Sequence, residues 1–198
     1  MKPNHTTLVR GLVLHAVAFV CASGPGAESR KGATPSWTVG TPIVTYWAGP
    51  AMTDAAAVQM ADGGWNLVWC TEKELDVAAR HGLRAQLHDG LISPTNLDDA
   101  AQREKLDALI ARVRSHPALY SYFITDEPNA TNFTGLGRLV AYLRERDPAH
   151  LAYINLFPTY ASNEQLGTKG DTLTAYREHL DRYVAIVQPD LISYQSSR

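Results

Sequence analysis

Short apolar runs alternate with amphipathic segments along most of the chain, and this alternation constrains the fold more than any other feature. The apolar runs are rich in β-branched and aromatic residues and lack a clean two-residue alternation, which is typical of strands buried on both faces. They predict six strands, at 42–47, 66–70, 83–87, 119–124, 151–155 and 190–194.

Between these runs lie segments with the apolar spacing of amphipathic helices, such as Leu106, Leu109, Ile110 and Val113. Strands that alternate with helices pair in parallel through right-handed crossovers. We therefore expect an α/β fold of the (β/α)8 TIM-barrel type, incomplete, with about six strands and five helices. An open doubly wound sheet also fits the alternation, but neither of its common glycine-rich phosphate motifs occurs in the chain.

The N-terminal segment differs from the rest of the chain. Lys2 and Arg10 precede or flank an apolar run at 11–20 that is too short to span a bilayer. Small residues around Ala22 follow this run, as at a signal peptidase site. The pattern predicts a secretory signal peptide at 1–22.

We expect residues 23–40 to form a flexible linker. Residues 41–198 are then expected to form a partial barrel domain that carries the catalytic site. Cleavage near Ala22 predicts a secreted or periplasmic protein without a membrane attachment. Cys70 is then the one remaining cysteine, so no intrachain disulfide forms. Two alternatives stay open, namely lipid attachment at Cys21 and a leader that is not cleaved.

Composition excludes several classes of function. The chain of 198 residues is 45% hydrophobic and 19% charged, with a formal net charge of -2. These values suit one globular domain with a substantial core. Because no Lys- and Arg-rich stripe occurs, nucleic acid is not an expected partner.

The fourth predicted strand ends at two adjacent carboxylates, Asp126 and Glu127, and Pro128 prevents the strand from continuing. In a parallel barrel the active site lies at the carboxyl ends of the strands. Aromatic faces beside carboxylates and amides suit a sugar, whose C–H face stacks while its hydroxyls form hydrogen bonds. The other strand ends supply the predicted substrate-binding residues, which are Tyr46, Trp47, Trp69, His88, Asp89, Asn155, Tyr160 and Tyr194.

The stretch "YFITDEPNATNFTGLGRLVAYLRERDPAHLAYINLFPTYAS" resembles the middle of a TIM-barrel glycoside hydrolase, of the clan whose acid/base glutamate follows strand 4 in Asn-Glu-Pro. It is most similar to the bacterial secreted β-galactosidase-like and cellulase-like members, in which Asp-Glu-Pro takes that place. The resemblance implies that Glu127 is the general acid/base. Asp126 stands where the clan usually has an asparagine that contacts the sugar 2-hydroxyl. Its charge would also make Glu127 hold its proton longer.

A structural interpretation of the two acids stays open, in which Asp126 caps the following turn and Glu127 pairs with an arginine. Glycoside hydrolysis also needs a second carboxylate. The resembled clan supplies it after strand 7, whereas this sequence ends after its sixth predicted strand and resembles a truncated barrel. Asp89, Glu164 and Asp171 are conceivable substitutes.

An incomplete barrel leaves two sheet edges unpaired, and such edges predict a homodimer. The expected partner at the site is a carbohydrate or another small molecule, with no cofactor. Two other functions stay open. One is hydrolysis of a small ester or lactone with the help of Ca²⁺, to which Asp126, Glu127 and Asn129 offer oxygen ligands. The other is a remnant that binds carbohydrate without catalysis.

Overall fold

The structure is a computed structural model that describes residues 42–46 and 49–194. The predicted leader at 1–22, the linker at 23–40 and Trp47 lie outside the described residues. Among the residues described, no helix is both long and apolar enough to cross a membrane.

Strands and helices alternate along the described chain, as the sequence predicts. The strands are β1 Leu67–Cys70, β2 Arg84–Leu87, β3 Leu119–Asp126, β4 Leu151–Leu156 and β5 Ser193–Tyr194. The helices are α1 Asp54–Asp62, α2 Leu75–Arg80, α3 Ala100–Val113, α4 Phe133–Arg146, α5 Asn163–Leu166 and α6 Thr172–Val187. Short 3-10 turns occupy Glu72–Glu74, Pro94–Leu97 and Ala130–Asn132.

The strands form one sheet in the order β1-β2-β3-β4-β5, and every neighbouring pair is parallel. This confirms the α/β class and the parallel pairing. It also matches the strand order of consecutive barrel strands, while closure into a barrel stays a prediction.

The first predicted strand, at 42–47, is wrong over its described part, because residues 42–46 form no strand. The amides of Asn66 and Leu67 both donate to the Val44 oxygen, at 3.1 and 3.2 Å. The Val44 amide donates to the side-chain oxygen of Asn66 at 2.9 Å, where a ladder would need a backbone carbonyl. A side chain thus competes with the backbone and interrupts the pairing.

The helices pack on the outer face of the sheet and bury the main core. The predicted stripe on α3 is buried, as are the apolar residues of α4 that face it. Strand residues Val68, Leu87 and Tyr122 point into this core and are fully buried. The opposite face of the sheet carries Trp69, Phe123 and Tyr153, which line cavities rather than the helix-covered core.

A register shift in β3 sets the direction of its last residues. β3 pairs with β4 at Phe123↔Tyr153 and again at Asp126↔Asn155, with an irregularity between them. The two β3 positions are three apart in the sequence, whereas the β4 positions with which they pair are only two apart. An extra residue of this kind bends a strand and redirects a side chain. It brings Asp126 to the same face as Phe123.

Candidate active site

The backbone at the tip of β3 is held in an uncommon conformation. Glu127 has a φ of 45°, in the left-handed region, although it is not glycine. Its amide donates to the Asn155 oxygen at 2.8 Å, which extends the pairing with β4 by one residue. Such a conformation costs on the order of 1–3 kcal/mol and persists only where surrounding contacts enforce it. The chain thus turns sharply at its candidate acid.

Asp126 and Glu127 have different surroundings despite being adjacent. The Asn155 side-chain amide donates to Asp126 Oδ1 at 2.8 Å. Burial raises the pKa of Asp126 above its usual value, and the hydrogen bond from Asn155 opposes that rise. Burial also raises the pKa of Glu127, and the negative charge of Asp126 raises it further. Of the two, it is therefore Glu127 whose proton is held more tightly because of its neighbour's charge.

The structural interpretation of these acids finds no support in the described residues. No arginine pairs with Glu127 within that part of the chain. The cap of the following turn is Asn129, whose side-chain oxygen accepts hydrogen bonds from the amide and the hydroxyl of Thr131. Asp126 instead contacts Asn155 on the neighbouring strand.

A cavity of about 710 Å³ lies between the loop after β2 and the loop after β3. Trp69 and Phe123 form part of its wall, with ring centroids 4.3 Å apart, and the His88 ring lies 5.6 Å from Trp69. Among the predicted site residues, this cavity brings together Trp69, His88 and Asp89. Thr125 and Pro128, which flank the two carboxylates, also line it.

A smaller cavity of about 260 Å³ lies on the other side of the same aromatic pair. It brings together the predicted residues Tyr46, Asn155 and Tyr194, and Trp69 lines it as well. The Trp69 amide donates to the Tyr46 hydroxyl at 3.2 Å, so this tyrosine also covers the edge of β1. Asp126 and Glu127 line neither cavity themselves, whereas Thr125, Pro128 and Asn155 beside them do.

Some predicted residues lie elsewhere. Tyr160 is 66% exposed and lies outside the lining of both cavities. Of the conceivable second carboxylates, Asp89 lines the larger cavity, while Asp171 caps α6 by accepting from the Thr174 amide at 2.9 Å. Glu164 lies in the first turn of α5. The roles of these residues stay predictions.

Sequence reasoning missed Phe123, Tyr153 and Ser193. Phe123 and Tyr153 lie within predicted strands, which the sequence pattern indicates are buried on both faces. A signal was present for Tyr153, because it lies two residues before Asn155 and so shares its face of the strand. Ser193 directly precedes the predicted residue Tyr194 and lines the smaller cavity.

A metal centre has little geometric basis in this region. Within 42–46 and 49–194, no group of three or more His, Cys, Asp or Glu side chains is arranged to hold a metal ion. The Asn129 oxygen, which was one of the suggested Ca²⁺ ligands, already accepts two hydrogen bonds from Thr131.

No family model and no curated protein matches the chain. Among solved structures, it is similar to a glycosyl hydrolase family 2 member from Bacteroides cellulosilyticus, with 15% identity and a TM-score of 0.46 over 72% of this chain and 18% of that one. It is similar to an endo-1,4-beta-mannanase from Eisenia fetida, with 10% identity and a TM-score of 0.48 over 72% of this chain and 59% of that one. It is also similar to a beta-glucuronidase from Parabacteroides merdae, with 14% identity and a TM-score of 0.40 over 72% of this chain and 22% of that one.

This chain thus spans 18% to 59% of the lengths of those three proteins. All three are named as enzymes that act on sugars. At these scores the likeness is by itself no argument about the activity of this chain, which has to be argued from its own residues.

Proposed function

We propose that this protein is a hydrolase that cleaves a glycosidic bond, with Glu127 as the general acid and base. The observation that carries the proposal is the pair at the tip of β3. Glu127 projects from a left-handed backbone position directly after Asp126, and burial and the charge of Asp126 both favour its protonated form. A carboxyl group whose pKa is raised is better able to hold the proton that it must give to a glycosidic oxygen.

The surroundings of the pair support a sugar as substrate. Trp69 and Phe123 offer flat apolar rings, and both line the two cavities, whose walls also include Thr125, Pro128 and Asn155 beside the carboxylates. His88, Asp89 and Asn155 add polar groups near those rings. Sites for small molecules typically combine apolar walls with a few placed polar groups, in cavities of about 300–1,000 Å³.

The steps that this chain's residues perform follow from their chemistry. Glu127 donates its proton to the leaving oxygen while the second carboxylate bonds to the anomeric carbon. Glu127 then removes a proton from the water that displaces this carboxylate and releases the sugar. Asp126 stays ionised and accepts hydrogen bonds from Asn155 and from a sugar hydroxyl. Asp89 is the candidate for the second carboxylate, because it lines the larger cavity.

The test is turnover of a panel of chromogenic glycosides by the parent chain and two variants. Glu127→Gln should lower kcat by about 10²–10⁴-fold, the usual contribution of such a group. Glu104→Gln, on the exposed face of α3, is the matched control and should leave kcat unchanged. Turnover by Glu127→Gln within a few-fold of the parent would remove Glu127 from this role. Binding of sugars by the parent without any turnover would favour the non-catalytic alternative.

A further inference from the structure

Four side chains on β3, β4 and β5 form a continuous chain of hydrogen bonds that ends at Asp126. The Tyr153 hydroxyl lies 2.7 Å from Ser193 Oγ, and Ser193 Oγ lies 2.9 Å from Asn155 Oδ1. Asn155 Nδ2 then lies 2.8 Å from Asp126 Oδ1. Asp126, Asn155 and Ser193 are register partners across the three strands, so the sheet itself sets their spacing.

The direction of this chain is fixed by its acidic end. An ionised carboxylate only accepts hydrogen bonds, so Asn155 must present its NH₂ group to Asp126. Its carbonyl oxygen then faces Ser193 and accepts from the serine hydroxyl. The serine oxygen in turn accepts from the Tyr153 hydroxyl. Every donor therefore points towards Asp126, and donors arranged in series strengthen one another.

Titratable groups face this chain of hydrogen bonds from several elements. Tyr46 and Tyr194 line the same cavity as Tyr153 and Ser193, and Tyr183 on α6 has its pKa raised by burial and by Tyr153. Glu127 follows Asp126 on β3, and its pKa responds to the charge of Asp126. Tyr153, on β4, likewise has its pKa raised by burial and by the charge of Asp126. The residue that β5 contributes to the chain is an uncharged serine. A change at Tyr153 or Ser193 should therefore act on the ionisation of Asp126.

We propose that Tyr153 and Ser193 are positioning residues, which act through Asn155 to keep Asp126 ionised beside Glu127. Without the serine donor, the Asn155 amide loses the partner that fixes its orientation, and it donates less well to Asp126. Without the tyrosine donor, Ser193 is free to rotate, with a smaller effect. The consequence for the proposed hydrolase is that the ionisation of the acid beside Glu127 depends on two groups that touch neither acid.

The experiment is a ¹³C NMR titration of the Asp and Glu side-chain carboxyls in the parent, Tyr153→Phe and Ser193→Ala. Adjacent acids titrate as a pair with two apparent pKa values. We expect the lower value, which belongs mainly to Asp126, to rise by about 0.3 unit in Tyr153→Phe and about 0.5 unit in Ser193→Ala. The higher value should change little, because Asp126 still ionises first.

Tyr176→Phe is the matched control. It removes a buried tyrosine hydroxyl that donates to the Phe157 oxygen at 2.9 Å, outside the chain of hydrogen bonds. It should leave both values unchanged. Ser193→Thr keeps a hydroxyl at the same place and should restore the lower value towards that of the parent. If Tyr153→Phe fails to fold, Ser193→Ala and Ser193→Thr still decide the matter.

Two failures are distinguishable, although the inference rests on the proposed function for its importance. If the lower apparent pKa is unchanged in both Tyr153→Phe and Ser193→Ala, the positioning role is overturned, whether or not the protein hydrolyses glycosides. A shifted lower value in a protein that turns over no glycoside would confirm the positioning role and contradict the proposed function.

Discussion

Asn129 joins the loop of the candidate acid to Glu164 in the segment after β4. Its side-chain amide donates to the backbone oxygen of Glu164 at 2.8 Å and to the backbone oxygen of Gln165 at 3.0 Å. The same segment turns at Gly167, which has a φ of 70°. A Cβ on Gly167 would lie 2.3 Å from the Asn129 side-chain oxygen. The two loops are therefore fitted to each other around Asn129.

This fit predicts a strong coupling between positions 129 and 167. In the parent, Gly167→Ala should lower the free energy of unfolding by about 2–3 kcal/mol, because it adds both a steric clash and a left-handed alanine. In an Asn129→Ala background the clash is absent, so the same change should cost only about 1 kcal/mol. Urea denaturation of the four proteins measures the coupling. Additive effects, within about 0.5 kcal/mol, would contradict the fit between the loops.

The left-handed backbone of Glu127 predicts that stability and activity conflict at this residue. Glu127→Gly should raise the free energy of unfolding by about 1 kcal/mol, because glycine adopts a positive φ without steric cost, and it should abolish turnover. Glu127→Gln keeps a side chain at the same φ and should leave stability near that of the parent.

Gln188 provides a matched control for this prediction, since it ends α6 with a φ of 52° and lies outside both cavities. Gln188→Gly should gain similar stability and keep activity. If Gln188→Gly raises the free energy of unfolding and Glu127→Gly lowers it, the Glu127 side chain makes a net stabilising contact in the folded state.

The sequence predicted the parallel α/β organisation because apolar runs and helix spacing are local properties that tertiary contacts did not override. It also predicted that His88, Asp89, Asp126 and Glu127 lie at strand ends, since charged groups cannot continue a buried strand. It did not predict that residues 42–46 leave the ladder, because that depends on the Asn66 side chain competing with the backbone of a distant segment. The face of Tyr153 could be predicted from its spacing to Asn155, but its position beside Asp126 could not, because only the register shift in β3 brings Asp126 to that face.

The buried acid Asp147 predicts part of the pH dependence of stability. It accepts hydrogen bonds from the Tyr122 hydroxyl at 2.6 Å and from His150 Nδ1 at 2.8 Å. Burial acts to raise the pKa of Asp147, but the hydrogen bonds from His150 and Tyr122 outweigh it and hold the pKa below its usual value. A lowered pKa stabilises the fold above the unfolded value of about 3.9, and the contribution is lost as pH falls through the folded value.

Asp147→Asn should therefore destabilise the protein by about 3 kcal/mol at pH 7, and the difference from the parent should shrink steadily below about pH 4. Urea denaturation across this pH range measures both effects. Asp76→Asn is the control, because Asp76 pairs with His116 through a side chain that is 84% exposed. It should change the free energy of unfolding by less than about 1 kcal/mol. An Asp147→Asn difference that stays constant down to pH 2 would show that charge is not the cause.

Trp69 provides the most direct test that the two cavities bind a sugar. Its ring lines both of them and contacts Phe123, so its removal deletes a wall that the cavities share. In a panel of short oligosaccharides of different sugars and linkages, Trp69→Ala should weaken the binding of those that the parent binds by about tenfold, equivalent to about 1.4 kcal/mol, as measured by calorimetry. Trp65→Ala is the matched control, because Trp65 packs edge-on against Tyr46 at 5.3 Å but lines neither cavity. It should lower the melting temperature while leaving affinity unchanged. Equal affinities in both variants, with a lower melting temperature in each, would assign Trp69 to the core and remove the aromatic support for a sugar substrate.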